Sequence, residues 1–135
     1  MNYLLVGIGG GIGSLLRYYL GVFTHSWWDY DFPLGTLIIN LIGCFALGWL
    51  TTYIIKLKLL HPHILAGIGT GLIGSFTTFS TFSVETVTLI QHRLWSMAFL
   101  YVVLSLFGGL LMSWLGYQVG KRAASKFQEK GEQAS

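Results

Sequence analysis

Ten residues in the middle of the chain mix hydroxyls with phenylalanines: Gly74-Ser75-Phe76-Thr77-Thr78-Phe79-Ser80-Thr81-Phe82-Ser83. Six of the ten carry a hydroxyl. A hydroxyl donates as well as accepts, and the edge of an aromatic ring is electropositive. On a helix, residues three apart are neighbours. Phe76, Phe79 and Phe82 would then form one stripe, Thr77, Ser80 and Ser83 a second, and Thr78 and Thr81 a third. Donors and ring edges together suit a small, hard anion that must shed its water. The competing reading has the hydroxyls bonding back to carbonyls one turn earlier while the rings pack. The density of hydroxyls favours the first.

Other polar residues stand in apolar surroundings. Asn40 offers two N–H donors in mid-span, for a ligand or for a neighbouring helix. Gly74 either marks a break that exposes carbonyls to a cation such as Na⁺ or is a helix-contact glycine. Arg17 either faces a polar path or snorkels to the interface. Glu85 could hold a proton or a cation, though a structural role is favoured. Tyr101 and Ser105, four apart, either extend a polar track or pack.

The elements that position these residues are membrane helices. The 135-residue chain is 53% hydrophobic and 10% charged, against about 25% charged in a soluble domain. It reads as an all-α integral membrane protein with four spans, at about 2–23, 34–55, 64–90 and 94–119. Residues 1–119 form one transmembrane domain and 120–135 a polar, frayed tail. The apolar start reads as a retained span, not a signal peptide. Thr24 to Pro33, with Trp27, Trp28 and Tyr30, reads as an interfacial loop. Six basic residues (Lys56, Lys58, Lys121, Arg122, Lys126, Lys130) fall on the side of the termini and only Arg93 on the other. That bias puts both termini in the cytoplasm. Membrane topology accounts for the net charge of +3 without nucleic acid. Glycines recur at four-residue spacing, as in Gly7/Gly11, Gly9/Gly13, Gly67/Gly71 and Gly116/Gly120, which permits close helix contact. Four thin helices leave little room for a pore, so the working unit is expected to be an oligomer.

Enzyme signals are poor. Gly69-Thr70-Gly71-Leu72-Ile73-Gly74 fits a dinucleotide pattern only in a strand–turn–helix context, and here it lies in a span. His25, His61, His63 and His92 fall in loops without the cysteine or carboxylate company of a zinc site. Cys44 is alone in the chain.

Three segments carry a family resemblance: Gly9 through Tyr18, Gly35 through Gly48, and Gly74 through Ser83. With the chain length and the order of motifs, they resemble the CrcB/Fluc fluoride channels. The resemblance implies passive fluoride export across the cell membrane by an antiparallel, dual-topology dimer whose third helix is broken in mid-membrane. It implies that Asn40, Phe79, Phe82, Tyr101 and Ser105 line the fluoride pore, with Thr78 and Thr81 beside them. It also implies that Gly74 and Thr77 give backbone carbonyls to a structural Na⁺ that is not transported. Ser14 stands where many members have alanine. The six-to-one charge bias suits a chain inserted one way and paired with an oppositely oriented homologue, against the alternative of a homodimer. The rival class is a proton-coupled small multidrug exporter, which needs a carboxylate in the first span. This chain has none there.

Overall fold

The computed structural model describes residues 2–55 and 60–133. Lys56 and Lys58 of the basic link lie outside them, as do Ala134 and Ser135. Four helical passes are long and apolar enough to cross a membrane: Tyr3–Trp27, Leu34–Ile54, Pro62–Gln91 and Trp95–Phe127. The chain is an all-α membrane protein with four spans.

The first pass is helix α1 (Asn2–Trp27). It runs a turn further than the sequence suggests: the helix carries on through His25 and Ser26, the Trp28 N–H still bonds the Thr24 carbonyl at 2.9 Å, and the Thr24 hydroxyl is satisfied within the helix by the Leu20 carbonyl at 2.7 Å. The second pass is α2 (Leu34–Leu50), continued by π-helical turns over Thr51–Ile55. The third starts as α3 (Pro62–Ala66), widens to a π-helix over Gly67–Ile73, and closes in α4 (Gly74–Phe76). After an interruption it resumes as α5 (Phe79–Gln91). The last pass is α6 (Trp95–Gln133).

Helix α6 carries on through the segment read from sequence as a frayed tail. Gly120 does not end it. That glycine faces Thr52 and the Trp49 carbonyl, so it serves packing, and the Lys, Arg, Ala and Gln after it are good helix formers. Ala124, one turn on, is fully buried.

Packing follows the glycines. Helix α1 lies along the first half of the third pass, and α2 along α6. A Cβ at Gly9 would meet the Gly67 carbonyl, and one at Gly13 the Leu72 carbonyl. Gly48 faces the Ser113 carbonyl, and Gly116 the Phe45 carbonyl. Such approaches are what small residues four apart permit. Gly7 and Gly11, by contrast, have nothing within 4 Å. The buried cluster is small: Leu37, Leu89, Ala98 and Tyr101, flanked by Phe32, Leu41 and Phe82. Large apolar side chains such as Leu15, Phe99 and Phe107 are exposed, which suits a lipid solvent.

The turn between α5 and α6 holds a left-handed residue, Arg93, at φ 62°. Its N–H bonds the Ile90 carbonyl at 2.9 Å, and the Leu94 N–H bonds the Leu89 carbonyl at 2.9 Å. This is a Schellman closure with arginine where glycine is usual. Arg93→Gly is expected to stabilise the fold by about 1 kcal/mol, the cost of a left-handed L-residue. A higher unfolding temperature in detergent would show it.

Candidate functional site

The third pass breaks at Thr77 and Thr78, whose backbones are extended (φ/ψ −76/155° and −148/117°). The tract alone does not account for this. Two side chains redirect the backbone donors that would continue the helix. In an unbroken helix the Thr78 N–H would bond the Gly74 carbonyl. Here it donates to Asn40 Oδ1 of α2 at 2.9 Å, and Asn40 Nδ2 donates to the Thr78 carbonyl at 3.1 Å. Likewise the Thr81 N–H, the helical partner of the Thr77 carbonyl, donates to Thr78 Oγ1 at 3.2 Å. Thr78 thus caps α5 in the manner of an N-cap threonine. The carbonyls of Gly74 and Thr77 lose their helical partners as a result.

Gly74 is itself helical (φ/ψ −63/−32°). The break falls three residues beyond it, and a Cβ there would meet only the Gly69 carbonyl at 3.7 Å. So Gly74 neither makes the turn nor serves a tight helix contact; it lies exposed beside the break.

The expected stripes need correction. The break separates Phe76 from Phe79 and Phe82. Phe76 is buried against Gly43, whereas the Phe79 and Phe82 rings stay together with centroids 5.7 Å apart. Phe79 is 79% exposed. The hydroxyls divide as well. Thr77 and Ser83 bond back to the Ile73 and Phe79 carbonyls at 3.1 and 2.9 Å. Thr78, Ser80 and Thr81 form a connected set, with Thr78 Oγ1 at 3.2 Å from Ser80 Oγ and 3.0 Å from Thr81 Oγ1.

Two clefts share Thr78 as a wall. One, of about 570 Å³, opens at the end of the bundle that carries the aromatic loop. Arg17, His25, Thr36, Thr81, Glu85 and His92 are among its walls, and it reaches Thr78. The other, of about 440 Å³, holds Asn40, Gly74, Thr77, Thr78, Phe79, Phe82 and Ser105. Ser105 Oγ is buried there without a hydrogen-bond partner. The second N–H of Asn40 also has no acceptor among the described residues. Both residues line the cleft where the Phe79 and Phe82 rings stand.

Tyr101 departs from the expected track. It is fully buried and lines neither cleft. Its hydroxyl donates to Glu85 Oε2 at 2.8 Å, while the Thr36 hydroxyl donates to Glu85 Oε1 at 2.8 Å. Its ring backs Phe82 at 5.1 Å between centroids. Tyr101 therefore positions Phe82 and Glu85, and Ser105 alone of that pair reaches the cleft. Residue types did not single out Thr36. Its spacing could have: Thr36, Asn40 and Gly43 share one face of α2 at i, i+4, i+7, and that face meets Glu85, Thr78 and Thr77 in turn.

Known proteins are similar to this chain along almost its whole length. A Bacillus cereus protein (strain ATCC 10987 / NRS 248) named fluoride-specific ion channel FluC 1 is 58% identical over 130 residues, 96% of this chain and 95% of its own. A FluC 1 of Desulfitobacterium hafniense is 51% identical, covering 81% of this chain and 94% of its own. A Geobacillus kaustophilus relative named FluC 2 is 48% identical, covering 87% and 91%. The sequence profile described as CrcB-like protein, Camphor Resistance (CrcB), matches residues 4–117, which reaches from the first pass into the fourth and spans the clamped break, and so the chain belongs to the CrcB family.

Proposed function

We propose that the protein is a fluoride channel that lets F⁻ leave the cytoplasm passively. The observation that carries this is the pair of clefts that lie on either side of a shared wall at Thr78. One side gathers a hydroxyl-lined mouth with Arg17 among its walls. The other gathers Asn40 and Ser105 donors with the ring edges of Phe79 and Phe82. A small, strongly hydrated anion can exchange water for such donors step by step. Relatives named fluoride-specific ion channels support the choice of ion. The role requires no bond-breaking chemistry, so the protein is not read as an enzyme. The rival multidrug exporter lacks its first-span carboxylate, and Glu85 is already held by two hydroxyls.

The working unit is an antiparallel dimer in the lipid of the cell membrane. The open second cleft and the exposed Phe79 ring favour completion by another subunit. The charge bias favours an oppositely oriented homologue over a second copy. Tagging both termini and finding copies in both orientations would speak for the homodimer. The same break suits a structural Na⁺. The Gly74 and Thr77 carbonyls have lost their helical donors, and hard oxygen ligands suit a hard cation. One chain would supply two such oxygens and an antiparallel partner the rest. Such an ion would neutralise carbonyl charge between the subunits.

Purified protein in liposomes, read with fluoride and chloride electrodes, tests the function. Rapid fluoride loss with little chloride loss is the expected result. If well-folded protein alone and with a co-expressed homologue both stay silent, the channel reading fails. In the same assay Tyr101→Phe should slow fluoride several-fold. It leaves Glu85 short of one donor, costing about 1–3 kcal/mol, and loosens the ring behind Phe82.

A further inference from the structure

Helix α6 is longer than a membrane is thick. Its 39 residues reach about 58 Å, against about 30 Å of hydrocarbon. Exposed tryptophans mark where the hydrocarbon ends. Trp95 and Trp114 are both exposed and stand about 28 Å apart along the axis, and tryptophan collects at membrane–water interfaces. Beyond Trp114 the helix therefore passes through the headgroups on the side of the termini.

The faces of α6 are sorted. Gly116 meets the Phe45 carbonyl of α2, and Gly120 meets Thr52 and the Trp49 carbonyl. Fully buried Ala124 continues that row at four-residue spacing. Ser105 lines the second cleft. At 3.6 residues per turn, a third face lies opposite Ser105. It carries Phe107, Leu110, Leu111, Trp114 and Tyr117, all exposed, and runs on into Lys121. Arg122 and Lys126 widen its end, and all three cations are exposed. The Ser125 hydroxyl between them is held by the Arg122 carbonyl at 3.0 Å, which leaves the cations as the donors. Glu129, about one turn on, is exposed and offsets one of the three charges. Lys130 and Glu132 beyond it add no net charge. Two positive charges remain in excess.

Hydrocarbon, then aromatic ring, then cation is the sequence of surroundings that a phospholipid meets from acyl chain to phosphate. We infer that this face of α6 holds an anionic phospholipid, with its phosphate at Lys121, Arg122 and Lys126 and an acyl chain along Phe107 to Trp114. The charge complementarity selects the occupant. A parallel second copy would set the same cations together, and the face points away from the cleft at which another subunit is proposed to sit. Basic residues just outside a span attract anionic headgroups. Two charges in excess favour an anionic over a zwitterionic headgroup about tenfold to thirtyfold.

The test is native mass spectrometry of the delipidated whole protein, given equal amounts of phosphatidylglycerol and phosphatidylcholine with the same acyl chains. Wild type should take up phosphatidylglycerol about tenfold or more in preference. Lys121→Gln/Arg122→Gln/Lys126→Gln should lose most of that preference and stay folded, since all three side chains are exposed. Lys121→Arg/Lys126→Arg should keep it, and Glu129→Gln should raise it about fivefold. Arg93→Asn, at the other end of α6, should leave it unchanged. Equal uptake of the two lipids by wild type, or an unchanged preference in the triple glutamine variant, overturns the inference. So does full displacement of the lipid by water-soluble glycerophosphoglycerol, which would make this a site for a free anion. A triple variant that keeps the lipid preference but changes its oligomeric state would assign the face to a second copy instead.

Discussion

Replacing Asn40 by alanine is expected to end fluoride conduction. The Asn40 amide satisfies both the N–H and the carbonyl of Thr78. Without it two partly buried backbone groups lose their partners, at about 1–3 kcal/mol each. The chain has an alternative: the Thr78 N–H can return to the Gly74 carbonyl and close the helix. A penalty of about 3 kcal/mol shifts the balance toward that closed form roughly a hundredfold. Closure removes the extended step at the wall the two clefts share and takes back the Gly74 carbonyl. The variant also takes a second N–H donor away from the cleft that Phe79 and Phe82 line. Asn40→Asp should fail as well. It keeps an acceptor for the Thr78 N–H but loses the donor and sets a negative charge in an anion's path. Liposome efflux measures both, with size-exclusion profiles to show that the protein remains assembled. Wild-type flux through Asn40→Ala would remove Asn40 from the mechanism.

Gly13→Ala should be among the most damaging single methyls in the chain, beside Gly116→Ala. Its Cβ would meet the Leu72 carbonyl, with the Phe76 N at 3.1 Å behind it. Backbone cannot rotate away as a side chain can, so α1 must lift off the third pass. Overpacking of this kind costs about 1–3 kcal/mol, occasionally more, and a rigid backbone contact belongs at the upper end. The loss should appear as a lower unfolding temperature in detergent and poor recovery of the protein. Gly7→Ala and Gly11→Ala are the built-in comparison. Nothing lies within 4 Å of either, and alanine favours helix over glycine by about 1 kcal/mol. Within one chain they should be neutral or stabilising. A loss of stability there would assign that face to a neighbouring subunit. Equal damage from Gly11→Ala and Gly13→Ala would mean that α1 packs by another face.

Much of this was legible in the sequence, because it depends on residue type. Hydrophobic length placed the four passes, and the hydroxyl–Phe tract located the special segment. Gly9/Gly13, Gly67/Gly71 and Gly116/Gly120 were legible as contacts. Gly7/Gly11 has the same spacing but the opposite environment, and spacing cannot tell the two apart. The break was misplaced for a similar reason. Gly74 is the residue whose backbone is permissive, yet the chain bends at two threonines, whose extended backbone any residue can adopt. A side chain 38 residues away makes that possible. Tyr101 lies on the expected face, but its hydroxyl turns to Glu85, a wall of the larger cleft, and the residue does not line the cleft that holds Ser105. Sequence gives the face of a helix and leaves the rotamer open. The extension of α6 through Gly120 was hidden because that glycine, a helix stop on its own, is a contact in the fold.

The Asn40 clamp also bears on how the protein is made. A break held by another helix does not exist in a nascent third pass. While that pass enters the bilayer alone, the Thr78 N–H can bond the Gly74 carbonyl, and an ordinary helix exposes fewer unpaired groups to lipid. Chain order helps here. Asn40 is synthesised 38 residues before Thr78, about 2–8 s earlier at 5–20 residues per second, so α2 can precede its client into the bilayer. The third pass then enters as a whole helix and is opened when it docks. Conduction becomes possible only once the helices have found each other, so an unassembled chain leaves the membrane sealed.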